Sequence, residues 1–201
     1  MNSRTEEEKD ILREIGNIGG GNALTSLSML LGKPLDLEIP SCSIVRRDDV
    51  GSMLDAPDTF YAGVSMTMTG TIECSLALLL NKKFTKMVMD ALDEGTDDFD
   101  VTKLTDMQES ALCEIGNIMG NSYVTALGTL LDLYIDVSVP HIVVDTGRHV
   151  LEQFIMAYPE QNDSLLFVSS SFGASEDRLE SYMLLCPTDE SLSNILARLS
   201  C

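Results

Sequence analysis

Residues 10–17 read Asp10-Ile11-Leu12-Arg13-Glu14-Ile15-Gly16-Asn17, and one hundred positions later the chain reads Ser110-Ala111-Leu112-Cys113-Glu114-Ile115-Gly116-Asn117. The register holds beyond the octapeptide: Ile18 matches Ile118, Gly20 Gly120, Thr25 Thr125, Leu27 Leu127, Leu30 Leu130, Leu31 Leu131, Asp36 Asp136 and Pro40 Pro140. A repeat kept at one offset over such a span means two related halves with one architecture written twice.

Each copy opens with a capping-box pattern, Thr5 with Glu8 and Thr105 with Gln108, which marks a helix start. The first helix is expected to run to about Leu31, where Gly32-Lys33-Pro34 stops it, a rod of roughly 40 Å. On that rod Asp10, Glu14, Asn17 and Gly21 share one stripe, beside the apolar stripe Ile11, Ile15 and Ile18. Ser110, Glu114, Asn117 and Asn121 line up the same way beside Ala111, Ile115 and Ile118. A Glu and an Asn three residues apart can be no more than solvated helix residues. However, asparagine is a poor helix former, and Gly16, Gly19, Gly20 and Gly21 would each cost roughly 1 kcal/mol relative to alanine. A close approach to this backbone, by a crossing helix or a partner surface, would account for them.

The pattern of Asp or Ser, three residues, Glu, two residues, Asn, twenty-two residues and Pro resembles the signature of the CheC family of chemotaxis phosphatases, and both copies match it at every specified position. The likeness covers nearly the whole chain. It implies hydrolysis of the aspartyl phosphate on the phosphorylated response regulator CheY. Asn17 and Asn117 would then enter the regulator's active site and orient the attacking water, while Glu14 and Glu114 would pair with a cation there. Asp10 and Ser110 would support the site or the docking surface, and Pro40 and Pro140 would be turn or strand-edge residues. A carboxamide suits the task because it offers a donor and an acceptor to one water, and phosphoryl transfer depends chiefly on positioning. By the same resemblance the chain needs no cofactor or metal of its own, and the Mg²⁺ used in dephosphorylation would sit on the regulator.

Composition narrows the partners. Thirteen basic against 32 acidic residues leave a net charge of −19, which argues against nucleic acid. The chain has no run of eighteen apolar residues, and its start, Met1 to Glu8, lacks an apolar signal core, so the expectation is a cytoplasmic protein that does not insert into membranes. Cys42, Cys74, Cys113, Cys186 and Cys201 are odd in number without C-x-x-C spacing, which favours reduced thiols over disulfides or zinc.

After each proline come strand-like stretches, Leu35–Val45, Phe60–Thr69 and Thr71–Leu80, then Ile135–Val144, Ser164–Phe172 and Arg178–Cys186. Each half closes with an amphipathic helix, around Phe84, Met87, Val88, Ala91 and Leu92 and around Leu192, Ile195, Leu196 and Leu199. The expected order is helix, strand, short helix, two strands, helix, twice over. It makes an α+β fold with an antiparallel sheet and two long motif-bearing helices. The whole of 1–201 is read as one domain, with half-repeats 1–95 and 101–201 joined by the acidic stretch Asp93–Asp100.

Other motifs add less. Gly16-Asn17-Ile18-Gly19-Gly20-Gly21 has neither the preceding strand nor the Gly-Lys-Ser/Thr of a phosphate loop, and His141 and His149 lack a cluster of metal ligands. Gly147–Ile155 reads either as a short helix with Val150, Leu151 and Phe154 in the core or as a contact for CheD, the receptor deamidase that CheC-like proteins bind, with Gln153 and Phe154 presented to it. The rival to the phosphatase is a non-catalytic flagellar-switch or scaffold module, like FliY or FliM, that binds the regulator. Two intact Glu/Asn pairs, and a sequence that ends at Cys201, favour the enzyme.

Overall fold

The computed structural model describes residues 6–32, 41–92, 98–157, 164–172 and 179–199. Two 26-residue helices, α1 (Glu6–Leu31) and α3 (Asp106–Leu131), carry the repeated octapeptides. Thr105 caps α3 as its sequence foretells: its hydroxyl accepts from the Gln108 N–H, and the Gln108 side chain accepts from the Thr105 N–H. Thr5, the cap expected for α1, lies outside the described residues. Both helices end in a left-handed residue at matching positions, Gly32 and Asp132, a conformation glycine adopts freely and aspartate tolerates better than most.

The strands are β1 (Ser41–Arg46), β2 (Phe60–Gly70), β3 (Cys74–Asn81), β4 (Ile135–Val137), β5 (His141–Thr146), β6 (Ser164–Phe172) and β7 (Leu179–Pro187). Helices α2 (Lys82–Ala91), α4 (Gly147–Ala157) and α5 (Asp189–Leu199) complete the set, and a 3₁₀ segment, Arg47–Met53, stands in the first half where α4 stands in the second.

All pairings are antiparallel, in the order β1-β6-β7-β3-β2-β4, with β5 also paired to β2. The order is a palindrome of the repeat. The third strands of the two halves, β3 and β7, meet at the centre, each half's second strand flanks its own third, and each half's first strand crosses to the other half. The exchange is in register: Arg46 faces Ser164 where β1 joins β6, and Thr146 faces Phe60 where β5 joins β2. A pseudo-two-fold axis therefore runs through the sheet between β3 and β7. Because such an axis reverses every direction in the sheet plane, α1 and α3, packed over one face, run antiparallel and hold their motifs at opposite ends of the pair.

Alternation along β3 builds the two sides of the core. Leu76, Leu78 and Leu80 face the layer of α1, α2, α3 and α5, while Ala77 and Leu79 face the layer made by α4 and the 3₁₀ segment. Buried on both faces, β3 is the near-continuous apolar run its sequence shows. Val150, Leu151 and Phe154 of α4 join the second core, as the core-helix reading of that segment requires.

Two strand boundaries depart from expectation. The second strand of the first hairpin begins at Cys74, not Thr71, because Gly70 turns the chain at φ +121° against the Tyr134 carbonyl, which leaves Thr71–Glu73 as a connection. The strand read as Ile135–Val144 is two strands. Between Ser65 and Met68 β2 advances three residues, while its partner advances four, from Val137 to His141, so a one-residue bulge interrupts the ladder. Pro140, with no N–H to give, stands at the break. Ser138 mends it: its N–H donates to Thr67 O at 2.9 Å and its hydroxyl accepts from Thr67 N–H at 3.0 Å. In the first half the corresponding Leu35–Pro40 lies outside the described residues.

Candidate functional site

The helix glycines set how closely the motif approaches the sheet. A Cβ on Gly116 would fall 2.5 Å from Val64 Cγ1, and one on Gly120 would fall 2.5 Å from Met66 Cε. These two glycines let α3 settle onto β2, with Leu112, Ile115 and Met119 buried beneath it. The opposite stripe is thereby turned out: Ser110 and Glu114 are exposed and Asn117 is half-buried.

Ser110, Glu114 and Asn117 line one groove of about 680 Å³, together with Asp106, Glu109 and Cys113 from α3. The facing wall is the bulged stretch Val137, Ser138, Val139 and Pro140, followed by Ile142. The bulge turns Val139 out to 87 % exposure at the groove's edge. The groove is acidic, with three carboxylates and no basic side chain among its lining residues. Burial and the Glu109 carboxylate raise the Cys113 thiol above its ordinary pKa. The Asn117 side chain is held: Asn121 Nδ2 donates to Asn117 Oδ1 at 2.7 Å and to the Asn117 main-chain carbonyl at 2.8 Å.

On α1, Glu14 is exposed and Asn17 half-buried, matching their counterparts. The side chain of Asp10, and Pro40, lie outside the described residues. Asn17 Oδ1 is buried without a hydrogen-bond partner. The close approach expected at the glycines of this helix is the crossing of α3. A Cβ on Gly19 would lie 2.2 Å from the Tyr123 ring, and Ser26 and Ser122 bond hydroxyl to hydroxyl at 2.8 Å across the same contact. The two-fold mate of the Gly19–Tyr123 pair is Ala23 with Met119, again one small and one large residue, and both are buried. Gly21 is different, since nothing lies within 4 Å of where its Cβ would be.

The antiparallel crossing thus holds the two Glu/Asn pairs apart, one toward each end of the helix pair. The other two candidate residues sit on the far face of the sheet. Phe154 is buried, Gln153 is exposed, and both line a small cavity of about 140 Å³ with His141 and Val150. His149 bonds Asp145 at 3.3 Å on the exposed side of α4. Among the described residues no group of three or more His, Cys, Asp or Glu side chains converges as metal ligands would, and no helix is long and apolar enough to cross a membrane.

Three features of the groove escape a reading of the octapeptides alone. The Val137–Pro140 wall is formed only when the strand breaks, and the sole hint is Pro140 inside a strand-like run. Cys113 belongs to the octapeptide, but that its thiol lines the groove beside Glu114 shows only in the fold. Asn121 was legible as a member of the same stripe, but its bond to Asn117 was not.

Comparison with known proteins agrees with this architecture. A model of the CheC-like family matches residues 7–44 and again residues 107–144, one hundred positions apart. The chain is 29% identical to the CheY-P phosphatase CheC of Bacillus subtilis over 207 residues, covering 99% of this chain and 97% of that one. It is 28% identical to the flagellar motor switch phosphatase FliY of the same organism over 69% of this chain, though over only 36% of that longer protein. Among solved structures, FliY of Thermotoga maritima superposes with a TM-score of 0.75 at 24% identity, covering all of this chain and 98% of that one. FliM from the FliG–FliM complex of H. pylori gives 0.68 at 14% identity, covering 96% of this chain and all of that one. The chain is thus similar to the CheC-like family at both copies of its repeat, in segments that take in each of the two long helices, and to CheC along nearly its whole length.

Proposed function

We propose that this protein hydrolyses the aspartyl phosphate of a phosphorylated chemotaxis response regulator, CheY, at two Glu/Asn sites, Glu14 with Asn17 and Glu114 with Asn117. The observation that carries the reading is the alignment of Ser110, Glu114 and Asn117 along one open acidic groove, where a partner's cation can meet Glu114 and its phosphoryl group can meet Asn117. It is supported by the likeness to CheC along nearly the whole chain.

In the reaction a water oxygen attacks phosphorus, the bond from phosphorus to the regulator's aspartate oxygen breaks, and the carboxylate is regenerated as inorganic phosphate leaves. The Asn carboxamide orients that water in line with the departing oxygen, and the Glu carboxylate docks a regulator lysine by a charge-assisted bond. The divalent cation for this step belongs to the regulator's own acidic residues. CheD is a second partner in this reading, meeting the exposed side of α4 at Gln153.

Phosphate release from the phosphorylated regulator is the test. Replacing Asn17 and Asn117 together by alanine should slow it by on the order of 10²-fold or more, with the fold and regulator binding retained. Unchanged release from the folded double variant would refute the site. The likeness to FliM favours one other reading, a module that binds the regulator without hydrolysing it. Binding with no release above the regulator's own rate would identify that function instead.

A further inference from the structure

The two motif helices differ at one position that bears directly on the amide. On α3, Asn121 reaches back one turn and clamps Asn117 from two sides, through its main-chain carbonyl and through Oδ1. On α1 the equivalent position is Gly21, and Asn17 Oδ1 has no hydrogen-bond partner. An asparagine amide turns about a broad two-fold torsion, and turning it over exchanges donor for acceptor. A catalyst that works by positioning loses rate to each wrong orientation.

We infer that Asn121 is a positioning residue of the second site. It fixes the Asn117 carboxamide with its oxygen turned toward Asn121, one turn further along the helix, so the N–H₂ group and the remaining lone pair are offered to the groove in a single arrangement. The first site lacks this brace, since Gly21 has no side chain to offer and Asn17 Oδ1 is buried without a hydrogen-bond partner. The inference rests on the hydrolytic reading above for its kinetic part only, since the restraint on the side chain is a property of the free protein.

The position tolerates the experiment. Asn121 is exposed, alanine is the better helix former there, and open space surrounds the Cβ position of Gly21. With the first site silenced by Asn17→Ala, Asn121→Ala should lower kcat about three- to tenfold, the range of one net hydrogen bond, with KM for the phosphorylated regulator unchanged. Asn121→Asp should lower it at least as far, because a carboxylate only accepts and would draw the Asn117 N–H₂ back toward itself. With the second site silenced by Asn117→Ala, Gly21→Asn should raise kcat of the first by a similar factor.

Relaxation of the side-chain ¹⁵N–H₂ groups in the free protein gives a readout independent of activity. Asn117 should be rigid in the native chain and mobile in Asn121→Ala. Equal Asn117 mobility in both proteins would overturn the inference even if phosphate release is observed. An effect on KM in place of kcat would also overturn it, by making Asn121 a docking contact. If the native chain releases no phosphate, the hydrolytic reading fails while the relaxation result still decides whether Asn121 braces Asn117.

Discussion

Gly19 and Gly21 sit two residues apart on α1, yet the same change to alanine should move stability in opposite directions. At Gly19 the new methyl would overlap the Tyr123 ring, which is fully buried and cannot swing aside. Overpacking of that kind costs about 1–3 kcal/mol and outweighs the roughly 1 kcal/mol gained in helix propensity. At Gly21 the methyl enters open space, so only the propensity gain remains. Urea denaturation of the two variants should show a lower midpoint for Gly19→Ala and a higher one for Gly21→Ala. Cys113 gives a second prediction at this scale. Its thiol is pushed up by burial and Glu109, so at pH 8 it holds less thiolate than an unfolded-chain cysteine. Alkylation of Cys113 followed by mass spectrometry should be slower in the native than in the urea-unfolded chain, with the native rate still climbing above pH 9. Since Cys113 lines the groove, a bulky maleimide there should block the second site. The sequence places this thiol inside the octapeptide, one helical turn after Glu109, but only the fold supplies the facing wall of the groove.

Among the elements, the long helices were the most legible because their signals are local. A capping box, a 3.6-residue apolar period and a left-handed stop depend on neighbours within a turn or two. The strand after α3 was less so. A run from Ile135 to Val144 has strand composition throughout, and whether it pairs continuously depends on β2, some seventy residues away. The bulge that results forms the wall facing Glu114 and Asn117. Its stability leans on Ser138, whose hydroxyl takes the Thr67 N–H that the broken ladder would leave unpaired. Ser138→Ala should therefore cost about 0.5–1.5 kcal/mol in denaturation experiments. It should also reduce second-site turnover a few-fold in the Asn17→Ala background, while first-site turnover in the Asn117→Ala background stays as it was. An equal loss at both sites would mean that the bulge serves the fold alone.

For the whole molecule, the repeat predicted two like halves but not that they are interlaced. Nothing in the sequence of Ser41–Arg46 says that it pairs with Ser164–Ser169 and not with its own half, because strand composition records burial and not the identity of the neighbour. The exchange has a testable result. With a protease site placed in the acidic stretch between the halves, cleavage should leave two fragments that stay together and keep their helical signal, since each fragment's first strand lies in the other's sheet. Fragments that separate on a sizing column as folded monomers would contradict the interlaced sheet. The intact chain and the nicked pair should then answer differently to dilution. Joined in one polypeptide, the exchanged strands meet at an effective concentration set by the tether, in the millimolar range for a short flexible one, however thin the solution. The melting temperature of the intact chain should be independent of concentration, and that of the nicked pair should fall as concentration falls. Covalent duplication therefore frees this sheet from mass action, and a cell can keep the protein at a few copies without losing its fold.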